Sequence, residues 1–203
     1  QRDNRLESDK KYLKWIAGIK NFKISFKKVS PFDELIKKYA DEFKLDWKLV
    51  AAQMFAESSY NPKSKSYAGA MGLMQLTPIA MHETGLKRNA YTVEDNIYHG
   101  IKYLKSRYDI LEDIPENSRL QFALASYNAG IGHLRDAQRL AKINGFDPKK
   151  WKGNVEEMFL DLAYSNDTYD EIKHGYCRGS ETIDYVNKIL KRYRAYKNLP
   201  IEE

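Results

Sequence analysis

The chain has 203 residues, of which 42% are hydrophobic and 31% are charged, and its formal net charge is +6 at pH 7. This length and balance suit one domain with a packed core and exclude wholesale disorder. No run of about 18 apolar residues occurs, so the sequence predicts no membrane-spanning helix.

The residues that most often hold metals or form disulfides are sparse. Cys177 is the single cysteine, which excludes an internal disulfide. The four histidines are widely separated, and none pairs with another ligand at metal-binding spacing, so we expect no metal site. The basic charge could attract nucleic acid, anionic lipid or an acidic polymer, but no nucleic-acid-binding motif accompanies the lysines.

The first three predicted helices cover the first half of the chain. Residues 31–44 have apolar positions at helical spacing, with Ser30 as the expected N-cap and Pro31 at the first helical position. A second helix is predicted over residues 46–58. The third is short, because Thr77 can cap it, Pro78 can open it and Gly85 can end it.

Helical periodicity continues to the end of the chain. The remaining helices are predicted over residues 93–108, 118–129, 132–144, 155–164 and 181–197. Extended structure is indicated weakly, by alternation over residues 21–29 and by a possible short hairpin in residues 60–72. The sequence therefore predicts an all-α, mainly helical fold. We expect residues 1–29 to be a linker or a remnant of an upstream domain, and residues 30–203 to be one domain.

Glu57 occupies an unusual position for a glutamate. On a helix over residues 47–58, it falls within an arc of about 80° together with Trp47, Val50 and Met54. Burial raises the pKa of a carboxyl group, as a general acid requires near neutral pH. The alternative is a helix-end glutamate that reaches solvent or pairs with a lysine.

The loop after Glu57 is both glycine-rich and apolar. Asn61-Pro62 ends the helix, and Gly69 and Gly72 permit backbone shapes that bulky residues resist. The residues that follow, 73–76, include two leucines and a methionine and are too apolar to lie free in water. We expect the loop to fold back on the Glu57 helix as one wall of a cleft.

Four ordered motifs then point to a family. They are Glu57-Ser58, Gly72-Leu73-Met74-Gln75, Ser126-Tyr127-Asn128-Ala129-Gly130, and Glu181-Thr182 with Tyr185-Val186. In this order they resemble the catalytic domain of the soluble-lytic-transglycosylase family, over about residues 31–199. The resemblance implies a goose-lysozyme-like helical fold with a substrate cleft. It also implies cleavage of peptidoglycan between N-acetylmuramic acid and N-acetylglucosamine, which leaves a 1,6-anhydro-muramyl end.

Smaller features resemble one branch of that family, the membrane-bound lytic murein transglycosylase F branch. They include Gly132-His133 and the segment from Gly175-Tyr176 to Gly179-Ser180-Glu181-Thr182. In that branch a periplasmic-binding-protein-like domain precedes the catalytic domain. The resemblance implies a periplasmic, outer-membrane-associated protein whose membrane association comes only from segments upstream. It implies peptidoglycan strands as the partner, a monomer, no nucleic acid and no cofactor.

The resemblance also assigns site residues. Glu57 matches the single acid/base of the family. The matched substrate-binding positions are Ser66, Met74, Gln75, Tyr127, Asn128, Glu181 and Tyr185. Structural roles remain open for several of them: core packing for Met74 and Tyr185, a helix end for Asn128, and a first-turn acid for Glu181. Ser126 stands where the family usually has alanine.

Two other functions remain open beside the transglycosylase. A hydrolytic goose-type lysozyme needs a second carboxylate to position water. The candidates are Glu83, Asp95, Glu181 and Asp184. The other function is a non-catalytic peptidoglycan- or chitin-binding module that retains the fold. A basic nucleic-acid-binding helical domain is a more distant possibility, and it predicts steep salt dependence.

Overall fold

The structure is a computed structural model that describes residues 28–87, 92–163 and 172–199. Helices account for most of these residues, which confirms the predicted all-α fold class. In the described ranges the α-helices are α1 (Asp33–Glu42), α2 (Trp47–Ser58), α3 (Pro78–Thr84), α4 (Val93–Asp109), α5 (Glu116–Ala129), α6 (Ile131–Ile143), α7 (Glu156–Asp161) and α8 (Gly179–Lys197). An irregular helical turn, Trp151–Val155, leads into α7.

The start of α1 differs from the prediction. The helix begins at Asp33, and Phe32 rather than Ser30 occupies its N-cap position. The reason is the Asp33 carboxylate, which accepts the backbone N–H groups of Val29 (2.8 Å) and Ser30 (2.9 Å). These bonds fold residues 29–33 into a turn, so Ser30 and Pro31 precede the helix.

The caps of α2, α3 and α4 follow from local side chains. Asp46 accepts the N–H of Lys48 at the start of α2. Thr77 and Pro78 open α3 as predicted, and Gly85 ends it with a φ of 84°, where a side chain would be strained. Thr92 and Asp95, the third residue of α4, form a capping box. The side chain of each residue accepts the backbone N–H of the other.

Boundaries of later helices also differ from the prediction. Helix α5 begins two residues early, at Glu116. The helix predicted over residues 155–164 is shorter, because the turn before it breaks at Lys152 and Gly153 and α7 ends at Asp161. Helix α8 begins two residues early, at Gly179. A Cβ atom on Gly179 would lie 1.5 Å from the Phe159 carbonyl oxygen, so the start of α8 can lie against α7 only with glycine there. Residue 164 and nearly all of the segment 1–29 lie outside the described residues.

Helix α2 lies at the centre of the core. Its residues 49–54 are all buried, so this part of the helix is enclosed on every side rather than along one stripe. It packs mainly against α8, while α5 packs against α4, α6 and α8. The C-terminal end of α2, which carries Glu57, is the part that emerges from this core.

The loop between α2 and α3 is held by isolated bridges rather than by a hairpin. Lys65 pairs with Met71, and Met71 pairs with Leu76. Asn96 of α4 fixes the same loop, since its side chain accepts the N–H of Met74 (2.9 Å) and donates to the Met71 carbonyl (3.0 Å). Gly72 passes so close that a Cβ atom there would lie 2.5 Å from the Asn96 amide. The loop is therefore a fixed wall beside the end of α2.

Within the part of the chain that the structure describes, none of the helices has both the length and the apolar composition to cross a membrane.

Candidate active site

Glu57 lies in the last turn of α2, where the helix leaves the core. Its side chain is half-buried, and burial raises the pKa of its carboxyl group from the usual 4.5 to about 8. A hydrogen bond from Tyr185 acts in the opposite direction and is the smaller effect. Among the described residues, no lysine or arginine contributes to this pKa. Glu57 therefore carries its proton at neutral pH, as a general acid must.

Tyr185 of α8 is the hydrogen-bond partner of Glu57. Its hydroxyl donates to a Glu57 carboxylate oxygen at 2.5 Å. The same hydroxyl oxygen accepts an N–H from the side chain of Gln53 at 3.1 Å. Because burial and the adjacent Glu57 charge raise the pKa of Tyr185 well above its ordinary value, Tyr185 keeps its proton and acts as a donor.

Tyr127, on α5, forms the next part of the site. Its buried hydroxyl donates to the Met74 carbonyl at 2.7 Å, which joins α5 to the loop wall. Its ring meets the ring of Tyr103 edge-on, with centroids 5.0 Å apart. Burial and then the charge of Glu57 raise the pKa of Tyr127 well above its usual value, so the phenol lies within electrostatic range of the acid.

Ser58 and Gln75 connect the wall to the acid helix. The Ser58 hydroxyl lies 2.8 Å from the Leu73 carbonyl and closes the loop onto the end of α2. Gln75 has a positive φ of 44°, and its side-chain amide donates to the carbonyls of Gly72 (2.8 Å) and Ser64 (3.1 Å). These bonds hold the half-buried Gln75 in a strained backbone shape at the inner edge of the wall.

Ser66 and Met74 have different roles in the wall. Ser66 is exposed at the outer turn, and its hydroxyl accepts the Ala70 N–H at 3.1 Å. The Met74 side chain is fully buried and packs on Gly100, where a Cβ atom would lie 2.4 Å from it. Of the two roles left open for Met74, the burial of its side chain supports core packing over direct contact with substrate. Its contribution to the site is its carbonyl, the acceptor for Tyr127.

Asn128 and Glu181 lie on the exposed rim. The side-chain oxygen of Asn128 accepts a hydrogen bond from Thr182 at 3.0 Å, which ties the end of α5 to the start of α8. Glu181 is exposed and pairs with Arg178 at 3.3 Å. The structure thus brings Glu57, Tyr127 and Tyr185 together, with Gln75 in the adjoining wall. Ser66, Asn128 and Glu181 are surface positions.

Sequence reasoning missed Gln53, Asn96 and Tyr103. Gln53 was identifiable by its spacing, since residues four apart lie on one helix face and Gln53 precedes Glu57 by four. Asn96 carried no comparable signal, because its partners lie in a loop more than 20 residues away. Tyr103 has the periodicity of a core residue, and only the fold places it against Tyr127.

The four candidate second carboxylates are engaged elsewhere. Glu83 accepts a hydrogen bond from Arg107 at 2.6 Å, and Asp95 belongs to the Thr92 capping box. Glu181 and Asp184 are exposed and pair with basic residues on their own helix or next to it. None of the four contributes to the pKa of Glu57. In the described residues no carboxylate is therefore hydrogen-bonded to Glu57 or shifts its pKa.

The described residues include no group of three histidine, cysteine, aspartate or glutamate side chains that could hold a metal ion. His133 and His174 approach each other, with ring centroids 6.2 Å apart. The nearby buried Asp136 accepts hydrogen bonds from the His174 ring, the backbone of residues 173–174 and Arg139. This cluster fastens the segment before α8 to α6.

Comparisons with known proteins identify the family of this chain. The family model described as "Transglycosylase SLT domain" matches residues 34–149. A curated relative, the membrane-bound lytic murein transglycosylase F of Desulfosudis oleivorans, is 41% identical over 169 residues, covering 82% of this chain and 36% of the relative. Its namesake from Shewanella halifaxensis is 38% identical over 167 residues, covering 82% and 34%. The chain thus spans about a third of the length of these relatives.

Solved structures give the same fold. The 70 kDa soluble lytic transglycosylase SLT70 of Escherichia coli matches with a TM-score of 0.54 and 27% identity, covering 84% of this chain and 24% of that one. A complex of a 70 kDa soluble lytic transglycosylase with bulgecin A matches with the same TM-score and 28% identity, covering 82% and 24%. The family model ends at residue 149, so Tyr185 and Glu181 lie beyond its match.

Proposed function

The chain belongs to the transglycosylase SLT domain family, and from that premise we propose that it is a peptidoglycan lytic transglycosylase. Its substrate is the glycan strand, cut at the β-1,4 bond between N-acetylmuramic acid and N-acetylglucosamine with formation of a 1,6-anhydro-muramyl end. The names of the curated relatives and of the solved structures support this activity. The observation that carries it is Glu57, a half-buried acid with a pKa of about 8 and a tyrosine donor at 2.5 Å.

In the first step Glu57 acts as the acid. With a pKa of about 8, roughly nine in ten molecules carry the Glu57 proton at neutral pH. The proton passes to the glycosidic oxygen as its bond to C1 of the muramyl sugar breaks. The substrate's own N-acetyl group relieves the positive charge that develops at C1, so no second protein carboxylate is needed.

In the second step Glu57, now ionised, acts as the base. The Tyr185 hydroxyl stabilises the carboxylate by donating to it. Glu57 takes the proton from the C6 hydroxyl of the same sugar while the C6 oxygen bonds to C1. The enzyme thereby recovers its proton and no water is consumed. An attacking hydroxyl within the same sugar gains from proximity, which removes the need to activate water.

The remaining site residues have supporting roles in this proposal. Tyr127 and Gln75 line the inner cleft, whereas Ser66, Asn128 and Glu181 contact the strand at the rim. Residues 30–203 form the catalytic domain and act as a monomer without cofactor or nucleic acid. The periplasm, where peptidoglycan lies, is the compartment, and outer-membrane association in the whole protein resides in segments outside this domain.

The test is digestion of purified sacculi, followed by mass spectrometry of the soluble products. The proposal predicts anhydro-muramyl ends from the wild-type chain and none from Glu57→Gln. Reducing ends would identify a hydrolytic lysozyme. Binding to sacculi without release of soluble products would identify a non-catalytic module.

A further inference from the structure

Gln53 is a buried polar residue for which the proposed reaction has no stated use. It lies on α2 one turn before Glu57, and its side chain has no exposed surface. The side-chain nitrogen Nε2 donates to the Tyr185 hydroxyl oxygen at 3.1 Å. The other end, the side-chain oxygen Oε1, has no hydrogen-bond partner among the described residues. An unsatisfied buried acceptor is unfavourable, so its presence next to a reacting acid calls for an explanation.

Three side chains form a short line of hydrogen bonds. Gln53 donates to Tyr185, and Tyr185 donates to Glu57 at 2.5 Å. A phenol has one proton to donate, so the N–H from Gln53 leaves Tyr185 free to direct that proton toward Glu57. This arrangement suits an ionised Glu57, which can only accept.

In the free enzyme a protonated Glu57 permits the opposite arrangement. Its carboxyl group then has a proton to donate, and before a glycosidic oxygen is bound beside it the nearest acceptor is the hydroxyl oxygen of Tyr185. The Tyr185 proton must in turn find another acceptor. If the Gln53 amide rotates by half a turn, its oxygen replaces its nitrogen beside Tyr185 and supplies that acceptor. The rotation gives Oε1 a hydrogen bond in exchange for the one that the side-chain nitrogen makes now.

We propose that Gln53 is a positioning residue whose amide rotates with the protonation state of Glu57, so that Tyr185 donates to the ionised acid and accepts from the protonated one. Only the Glu57 proton leaves its residue; the Tyr185 proton stays on its oxygen and changes direction. A residue with both a donor and an acceptor end, such as glutamine, meets both requirements. This inference deepens the proposed function, because a single glutamate that is first acid and then base must be supported in both states.

Few other titratable groups face Glu57. Tyr185 reaches it from α8 and Tyr127 from α5, and both keep their protons because burial raises their pKa values. The Tyr127 proton is already engaged with the Met74 carbonyl. Among the described residues, the amide of Gln53 is therefore the group in this line that can reorient when Glu57 loses its proton.

Nuclear magnetic resonance tests the inference without reference to activity. The side-chain amide signals of Gln53, assigned by their loss in Gln53→Met, are followed with pH together with the Glu57 carboxyl carbon. We expect both to change with one midpoint in the wild type, and the Gln53 signals to become independent of pH in Tyr185→Phe. Gln53 signals that stay constant while Glu57 titrates would overturn the inference. So would signals that titrate equally in Tyr185→Phe.

Kinetics supply the second readout. Gln53→Met is expected to lower kcat on glycan strands about five- to tenfold with little change in KM, as expected for loss of one buried hydrogen bond that supports the reacting state. The matched control is Gln138→Met, a buried glutamine of α6 bonded to Arg135 and Pro148, which should leave kcat unchanged. Unchanged kcat in Gln53→Met would contradict the inference. A wild-type chain that cleaves nothing refutes the proposed function, while the titration still decides the role of Gln53.

Discussion

The Tyr185 hydroxyl donates to the Glu57 carboxylate at 2.5 Å, although 128 residues separate the two in the chain. The contact joins the end of α2 to the first half of α8, the helix against which α2 packs most extensively. Burial keeps Glu57 protonated at neutral pH, while Tyr185 prepares the same group to hold a negative charge. This balance is what a single acid/base residue needs.

Replacement of Tyr185 by phenylalanine removes the donor and leaves the ring in place. We expect kcat to fall about 10- to 100-fold, since the ionised Glu57 loses a charge-assisted hydrogen bond. The pKa of Glu57 should rise further, because the hydrogen bond from Tyr185 lowers it. The carboxyl carbon of Glu57, followed by nuclear magnetic resonance, measures the change.

The matched control for Tyr185→Phe lies on the same helix. Tyr193→Phe also removes a phenol that donates to a carboxylate, at 2.7 Å to Asp46, but at the far end of α8. It should leave kcat and the Glu57 titration unchanged. An equal loss of kcat in both variants would assign the Tyr185 effect to helix packing.

The rate should depend on pH through Glu57. The acid is active when protonated, so kcat/KM is expected to fall about tenfold per pH unit above a pKa of about 8. Initial rates on soluble glycan strands, recorded at constant ionic strength, measure this fall of kcat/KM with pH. A loss of rate centred near the ordinary glutamate value of 4.5 would show that Glu57 is not a buried acid in solution.

Glu57→Gln should remove a pH dependence of folding. The pKa of Glu57 is raised in the folded protein, so between about pH 4.5 and 8 the folded state binds more protons than the unfolded state. The contribution of Glu57 to wild-type stability must therefore fall as pH rises through this window, by roughly a few kcal/mol, and level off above it. The glutamine side chain of Glu57→Gln does not ionise, so this variant gains stability relative to the wild type as pH rises.

Urea unfolding at the two ends of the window measures this difference. Glu42→Gln, an exposed change at the end of α1, is the control and should follow the wild type at both pH values. A Glu57→Gln variant that keeps the same stability difference from the wild type throughout would contradict the raised pKa. The Glu57→Gln variant should also have lost nearly all turnover, since an amide can act neither as the acid nor as the base.

Asn96→Ala tests the loop wall. The change leaves the N–H of Met74 without its partner and removes one of the two donors to the Met71 carbonyl, which keeps the N–H of Leu76. We therefore expect about 1–3 kcal/mol of lost stability. It should also lower activity, because the Met74 carbonyl positions Tyr127. Asn144→Ala removes a bond to the Leu140 carbonyl and a long one to the Met158 sulfur at the exposed end of α6, and should cost about 1 kcal/mol or less. Urea unfolding measures both variants, and equal losses of unfolding free energy in Asn96→Ala and Asn144→Ala would contradict an anchoring role for Asn96.

Local sequence signals predicted the helices well where a side chain defines an end. Thr77, Pro78 and Gly85 delimit α3 as expected, because each acts on the backbone beside it. The prediction failed at the start of α1, where Asp33 folds the residues before it into a turn, and at the start of α8. At the start of α8 a Cβ atom on Gly179 would meet the Phe159 carbonyl of α7, and no local pattern carries that information.

The candidate site was predictable in part. Periodicity identified Glu57 as a glutamate on a buried side, and ordered motifs added Tyr127 and Tyr185. Burial of the Met74 side chain and the hydrogen bond from Gln53 to Tyr185 required the packed structure. A motif gives the order of residues in the chain, whereas side-chain direction depends on the neighbouring helices.

Digestion of sacculi in heavy-oxygen water tests the central claim most directly. If the C6 hydroxyl of the muramyl sugar completes the reaction that Glu57 begins, the products carry anhydro ends and no heavy oxygen enters the new end. Mass spectrometry of each released fragment distinguishes the two outcomes. One heavy oxygen at each new reducing end would contradict the account and identify water as the attacking group.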